Sequence, residues 1–213
     1  IEKRYEETRV EVLHALIRDH PLATLVTLSA DGLDANHIPM VISESPAPFG
    51  TLRGHIARAN PLLNDIAAGS EAMAVFHGPQ TYISPSWYVT KAETGKVAPT
   101  WNYAVVHAHG PLRVVEDAAW IRTQLEALTA HNEASFPEPW AVADAPDDFV
   151  EQLIGAIIGF EMPIERLYGK WKVSQNQPPR NQASVIEALR ASGHPHATDM
   201  ALLVGAAAKK PQG

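Results

Sequence analysis

Leu22-Ala23-Thr24-Leu25-Val26-Thr27-Leu28 is an unbroken apolar and β-branched run, and Ser29-Ala30-Asp31-Gly32 follows it at once. Aliphatic and β-branched side chains pack well on a pleated surface, so the run reads as a buried strand. An Asp-Gly pair at its end supplies the backbone freedom that a tight hairpin turn needs. Residues 22–28 therefore predict a strand that folds back into a second strand over residues 35–43. That connection makes the two strands antiparallel neighbours, whereas parallel strands need a long crossover.

Upstream, Val10, Leu13, Leu16 and Ile17 recur at helical spacing over residues 9–19, and His20-Pro21 stops that helix. Downstream, Pro46 and Pro48 mark a loop, residues 51–56 read as a third strand, and Asn60-Pro61 opens a helix to about residue 68. Asn60 is its expected N-cap and Pro61 its first helical residue. Short strands over 72–77 and 81–84 flank Gly78-Pro79, residues 85–99 read as a long connection, and 103–115 as a long strand. Helices follow over 116–129 and 147–154, one or two strands over 159–173, and a helix over 181–191, with an irregular excursion over 132–146. Hairpin-ordered strands with few helices predict a mainly β fold with peripheral helices (α+β), built on an antiparallel barrel. The expectation is a single domain over 1–213. It has a barrel core over 9–130, a helix-strand-helix extension over 147–192, and an Ala-rich tail over 198–213 as a frayed helix or a flexible end.

The chain's 213 residues, 46% of them hydrophobic, can bury a substantial core. Its 24 acids against 17 bases leave a net charge of −7, which disfavours nonspecific DNA binding through Lys and Arg. The absence of cysteine removes disulfides, thiolate nucleophiles and Cys-based metal sites together. No apolar run is long enough to span a bilayer, and the charged start lacks an apolar signal core, so a soluble cytoplasmic protein is expected. Glycine-rich dinucleotide fingerprints, P-loops, nucleophile elbows and His-Glu-x-x-His motifs are missing, and no catalytic residue is assigned. His107-x-His109 and His194-x-His196 each pair two imidazoles, yet no paired carboxylates accompany them. No metal site is expected.

Chemistry concentrates in several clusters. Gly95 to Gly110 holds Lys96, Thr100, Trp101, Asn102, Tyr103, His107 and His109, a mixture suited to gripping a planar, heteroatom-rich ligand or to forming a strand with a polar edge. Arg53-Gly54-His55-Ile56-Ala57-Arg58-Ala59-Asn60 carries a strand to a helix start. Unpaired amides, a partial positive dipole and a guanidinium there predict a phosphate site, against the alternative of an ordinary cap with solvated arginines. Asn36-His37-Ile38-Pro39-Met40 has a proline in mid-strand, which demands an edge or a bulge and leaves neighbouring backbone groups for a ligand or for edge protection. Tyr82-Ile83-Ser84-Pro85-Ser86-Trp87-Tyr88 and Gly169-Lys170-Trp171-Lys172-Val173-Ser174-Gln175-Asn176 repeat the aromatic, cationic and amide chemistry.

Gly54 to Pro61, Tyr82 to Tyr88, Lys96 to Tyr103 with His107, and Gly169 to Asn176, in that order, resemble the signature blocks of the PaiB family of FMN-binding negative transcriptional regulators. The chain departs from that pattern at Ala98, where a valine is usual, at Gln177, where an arginine is common, and over its first ten residues. The resemblance implies an FMN-binding split β-barrel of the pyridoxamine-phosphate-oxidase type, working as a homodimer with flavin at the subunit interface. It implies that Arg58, Ala59 and Asn60, with His55 nearby, hold the FMN phosphate. His37, Ile38, Pro39 and Met40, with Leu52, Arg53 and Gly54, would flank the ring system, and Trp101, Asn102, Lys170, Trp171, Ser174 and Gln175 would close the site from the other subunit. Direct DNA contact finds no support in the charge or in a helix-turn-helix. A small FMN-dependent oxidoreductase using NAD(P)H, a haem-binding barrel with His107 or His109 as ligand, and a barrel without its cofactor remain the alternatives.

Overall fold

The structure, a computed structural model, describes residues 1–29 and 32–209. In chain order the elements are β1 (Glu6–Glu7), α1 (Val10–Asp19), β2 (Leu22–Ser29), β3 (Gly32–Pro39), β4 (Val41–Ser43), β5 (Thr51–Ala57), α2 (Leu62–Ala67) and β6 (Glu71–Ile83). They continue with α3 (Thr90–Thr94), β7 (Thr100–Pro111), β8 (Arg113–Val115), α4 (Ala118–Glu133), α5 (Asp147–Ala156), β9 (Ile157–Pro163), β10 (Arg166–Lys172), α6 (Pro179–Ser192) and α7 (Ala197–Ala208). One sheet has the order β1-β10-β7-β6-β2-β3 and the other β4-β5-β9-β8. The expected mainly β fold with peripheral helices is what the chain adopts.

The chain forms two compact units. The first comprises Ile1–Thr8, His77–Val106 and the chain from Tyr168 onward; the second comprises Arg9–Phe76 and His107–Leu167.

In the second unit, β2 and β3 pair from Leu22↔Pro39 to Ser29↔Gly32, as the Asp-Gly signal predicts. Ala30 and Asp31 themselves lie outside the described residues. The single strand expected over 35–43 is instead two, because the chain leaves one sheet at Pro39 and enters the other at Val41. Pro39 has no N–H with which to continue a ladder, and both β3 and β4 are edge strands, where that loss is tolerated. Met40 at the crossing is buried, and its N–H donates to Pro21 O at 2.9 Å. Along β5, Leu52, Gly54 and Ile56 are buried in strict alternation with Arg53 and His55. A Cβ on Gly54 would lie 2.8 Å from Phe160 Cζ and 3.5 Å from Ile38 Cγ2, so the missing side chain is what lets the ring fill this interior. On a separate flank, Ile121, Val142, Val150 and Ile154 bury together, joining α4 to α5. His14 is a satisfied core histidine, with Nε2 2.9 Å from Phe49 O.

In the first unit, α6 and α7 bury Val185, Leu189, Met200, Ala201 and Val204 with Ile83 of β6 and Val173 at the end of β10. Each of the Val, Leu, Ile and Met side chains among them contributes about 1.5–3 kcal/mol by leaving water. The Ala-rich tail is thus a packed helix through Ala208, while residues 210–213 lie outside the described residues. Two short strands were expected around Gly78-Pro79, yet β6 runs unbroken through both. Its pairing with β2 ends at Phe76, so the missing Pro79 N–H leaves no gap in that ladder. Residues 85–99 hold a one-turn helix, α3, closed by Gly95 at φ +64°. Arg180 grips Glu93 through two contacts of 2.6 Å, and Asn181 Nδ2 donates to Thr90 Oγ1 at 3.0 Å, fixing α3 to the start of α6.

Candidate functional site

The expected phosphate turn lies in the second unit, between β5 and α2. Arg53 and His55 share the strand face that meets α4. Arg53 Nε donates to Glu161 Oε1 at 3.1 Å, its guanidinium lies 6.0 Å from the Trp120 ring centre, and Trp120 Nε1 donates to the same carboxylate oxygen at 3.3 Å. His55 Nδ1 is 2.8 Å from Gln124 Oε1. Both side chains therefore have protein partners of their own.

Arg58 sits at the end of α5. Its backbone N–H donates to Ala156 O and its Nε to Gly155 O, each at 3.0 Å. A cation at a helix C-terminus meets carbonyls that have no intrahelical donor and the negative end of the dipole. Nη1 is 4.0 Å from a largely exposed Glu116 carboxylate, so the terminal guanidinium nitrogens remain on an exposed edge.

Asn60 caps as expected, with Oδ1 accepting from Leu62 N at 2.9 Å, although α2 begins one residue later than predicted and Pro61 precedes it. Asn60 Nδ2 donates to Asn36 Oδ1 at 3.3 Å, which brings the turn to the strand that carries His37 and Pro39. Those two are exposed, whereas Ile38 and Met40 are buried in the core.

The helix start does not offer the free amides that its sequence suggested. Besides Leu62, the N–H groups of Leu63 and Asn64 donate to Asn60 O and Pro61 O, each at 3.0 Å. The helix spans only six residues, so these turn bonds use up its first donors. What the turn can present to an anion is the outer edge of Arg58.

The second cluster lies in the first unit, where strand alternation divides the expected residues between two faces. Trp101 and Lys170 are on one. Trp101 is 50% exposed and meets Tyr82, itself 46% exposed, edge to face at 6.2 Å between ring centres. Lys170 Nζ lies 5.5 Å from the centre of the Tyr103 ring. Its interaction with the Tyr103 side chain holds the ammonium pKa above the ordinary lysine value, with desolvation opposing and Glu2 assisting.

Asn102 and Ser174 belong to the other side, 1% and 2% exposed. Asn102 Nδ2 donates to Ser174 Oγ at 2.9 Å, and Gln182 Nε2 donates to Ser174 O at 3.0 Å. These bonds hold Ser174 at φ +64°, a backbone state that non-glycine residues seldom adopt. Gln175 braces the same turn, accepting from Val173 N at 2.8 Å and donating to Trp171 O at 2.5 Å. Trp171 packs against the α6–α7 core. Asn102 Oδ1 is buried without a hydrogen-bond partner.

Tyr82 and Tyr103 belong to the clusters the sequence singled out, but neither was assigned to the flavin. The alternation Trp101-Asn102-Tyr103-Ala104 carries the signal that would have found Tyr103, because alternate side chains share a face. Nearer the end of β7, Arg166 Nη2 lies 3.1 Å from His109 Nδ1. Desolvation, then the Arg166 charge, lowers the His109 pKa from its ordinary value. Among the described residues, no helix is long and apolar enough to cross a membrane.

Two antiparallel sheets flanked by helices match known flavoproteins in fold. The structure aligns with the FAD and haem binding protein from Mycobacterium smegmatis at a TM-score of 0.59 and 18% identity, covering 79% of this chain and 73% of that one. It aligns with the flavocytochrome Anf3 from Azotobacter vinelandii at a TM-score of 0.57 and 11% identity, covering 80% and 72%. The chain therefore shares the fold of these proteins, a mainly antiparallel β fold of the split-barrel kind with peripheral helices.

The sequence matches, over residues 1–166, the family described as "Putative FMN-binding domain", and the chain belongs to that family. It is 36% identical over 217 residues to an uncharacterized protein of Emericella nidulans, covering 85% of this chain and 86% of that one. It is also 28% identical over 213 residues to the protease synthase and sporulation protein PAI 2 of Bacillus subtilis, covering 99% and 98%. The PaiB resemblance read from the sequence thus holds at the level of the whole chain.

Proposed function

We propose that this protein binds FMN and acts as a homodimeric, cytoplasmic negative regulator of transcription of the PaiB type. The observation that carries the flavin reading is the half-exposed Trp101, propped by Tyr82 and neighboured by the Tyr103–Lys170 pair, in a chain of an FMN-binding family. Flat aromatic faces beside a cation suit a planar, electron-accepting ring system.

In this reading the exposed edge of Arg58 takes the phosphate, with Ala59 and Asn60 shaping the turn and His37 and Pro39 beside it. Trp101 and Lys170 meet the ring system from the second copy of the chain. Arg53 and His55 support the turn through α4, and Asn102, Trp171, Ser174 and Gln175 hold the β10 end in place. The buried, unpartnered Asn102 Oδ1 sits in that supporting layer and fits a positioning role. Bound flavin would supply redox chemistry, and the residues named here bind and orient it.

Regulation by contact through a partner or through redox state suits the net charge of −7 better than direct DNA binding. Visible spectra of purified protein titrated with FMN and with haemin test the cofactor. Saturable flavin bands support the reading, and a Soret band in their place, or no band at all, overturns it. NAD(P)H oxidation with FMN present, set against a promoter-fragment shift at physiological salt, separates regulator from oxidoreductase.

A further inference from the structure

We propose that one flank of the second unit, formed by α5 and the chain between α4 and α5, is a docking surface for a basic, amphipathic helical segment of a partner protein. This goes beyond the flavin reading and does not rest on it, because none of the residues that form the flank belongs to the candidate flavin site.

Helix α5 is apolar over a wider stripe than its packing uses. Phe149, Val150, Leu153 and Ile154 fall at helical spacing along one side. Val150 and Ile154 are buried with Ile121 and Val142, which anchors the helix. Phe149 and Leu153, one turn apart, stay 51% and 48% exposed. The chain before α5 repeats the pattern. Val142 enters the same small core, while Phe136 and Trp140 just ahead of it stay 58% and 47% exposed. Backbone donors fix that stretch: Phe136 N–H to Glu133 O at 2.9 Å, Trp140 N–H to Glu133 Oε2 at 3.0 Å, and Ala141 N–H to Asp144 Oδ2 at 2.8 Å. Folding gains little from large apolar side chains kept in water, and a group of them on a fixed frame marks a contact surface.

Charge selects the occupant. From Thr123 to Glu165 the sequence holds nine Asp and Glu and not one Lys or Arg. Glu138, Asp147, Asp148 and Glu151, interleaved in sequence with the four apolar residues, are exposed, and among the described residues no Lys or Arg pairs with them. The second unit as a whole, residues 9–76 and 107–167, carries 18 acids against 7 arginines and no lysine. Such a field repels phosphate-bearing partners, so neither nucleic acid nor an anionic membrane suits this surface. A second copy applying the same face would set acid against acid. A helix with a Leu-rich stripe flanked by Lys and Arg satisfies both features. Its stripe covers the exposed apolar side chains, with Trp140 as the main anchor, and its cations lie against the acids.

The experiment is fluorescence anisotropy of a fluorescein-labelled Leu/Lys peptide of about 14 residues, four helical turns, titrated with the protein at physiological salt. A second peptide of the same composition has its leucines scattered around the helix. The first is expected to bind saturably and about tenfold or more tighter than the second. Phe149→Ser/Leu153→Ser and Trp140→Ser should each weaken it by about tenfold or more. Asp147→Asn/Asp148→Asn/Glu151→Gln should weaken it severalfold and flatten its dependence on salt. Leu202→Ser, at an exposed leucine of α7, should change nothing. Each variant is first checked for an unchanged thermal transition, and if the Phe149 and Leu153 pair fails that check, Trp140→Ser and the charge variant decide.

Equal affinity for the two peptides would reduce the contact to charge alone and overturn the docking surface. Unchanged affinity in Phe149→Ser/Leu153→Ser and Trp140→Ser would overturn it as well. A fall in sedimentation mass in those variants would give the face to a second copy of the chain, and anionic vesicles bound by the wild type but not by them would give it to a membrane. FMN affinity should be the same in every variant, so failure of the flavin reading and failure of this one are read separately.

Discussion

The turn after β5 and the open face of β6, β7 and β10 were both legible as candidate ligand contacts, but they meet their surroundings in opposite ways. At the turn, polar groups are engaged within their own unit: Arg53 with Glu161, His55 with Gln124, Arg58 with Gly155, and Asn60 with Leu62 and Asn36. At the face, Tyr82 and Trp101 stand half in water and meet edge to face. A ligand at the turn must share groups the fold already uses, so substitutions there report on stability and affinity together. A ligand at the face covers surface the fold has left open, so substitutions there should act on affinity with little cost to folding.

The largest effect that can break this comparison is expected at Arg58. Arg58→Ala removes a charge-assisted contact of about 1.5–3 kcal/mol and should weaken FMN binding more than tenfold, read by fluorescence titration. It should also lower the denaturation midpoint, because α5 loses the donor at Gly155 O, whereas Trp101→Ala should leave that midpoint unchanged. Unchanged affinity in Arg58→Ala would return the turn to a purely structural role.

Asn102→Ala comes next. Truncation empties a buried position and strips Ser174 Oγ of its donor at a backbone conformation that already carries strain, so urea unfolding should show a loss of about 1–3 kcal/mol. If stability were untouched while flavin affinity collapsed, Asn102 would be a direct contact and not a support.

The smallest effect is on pH dependence. The folded-state pKa of His109 lies below its ordinary value of 6.5, so the folded chain binds fewer protons than the unfolded chain just below that pH. The sign follows: this contribution to stability is present above about pH 6.5 and is lost as pH falls toward the lowered pKa. Thermal midpoints measured between pH 7 and 5 should fall more steeply in the wild type than in His109→Gln, and parallel curves would remove His109 from the account.

Sequence patterning carried far for the strands and less far for the site. The run over 22–28 and the Asp-Gly pair predicted the β2–β3 hairpin because alternation and turn chemistry are local properties. The change of sheet at Met40 was half visible: Pro39 announced a break in pairing but not which sheet the chain would join next. Helix α3, at five residues, is too short to leave a periodic signal, and it is held by contacts to residues about ninety positions later. The same limit applied to the site. That Arg58 would cap α5 depends on a partner 97 positions away in sequence, which no local pattern announces. By contrast, the division of Trp101 and Tyr103 from Asn102 was present in the alternation of β7 and required only that the strand be read by face.

The account rests most heavily on a flavin held by its phosphate at the Arg58 turn. Riboflavin shares the ring system and lacks the phosphate, so titrating the wild-type protein with FMN and with riboflavin under the same conditions isolates that contact. FMN binding more than tenfold tighter than riboflavin is the predicted result, and equal affinities would contradict it.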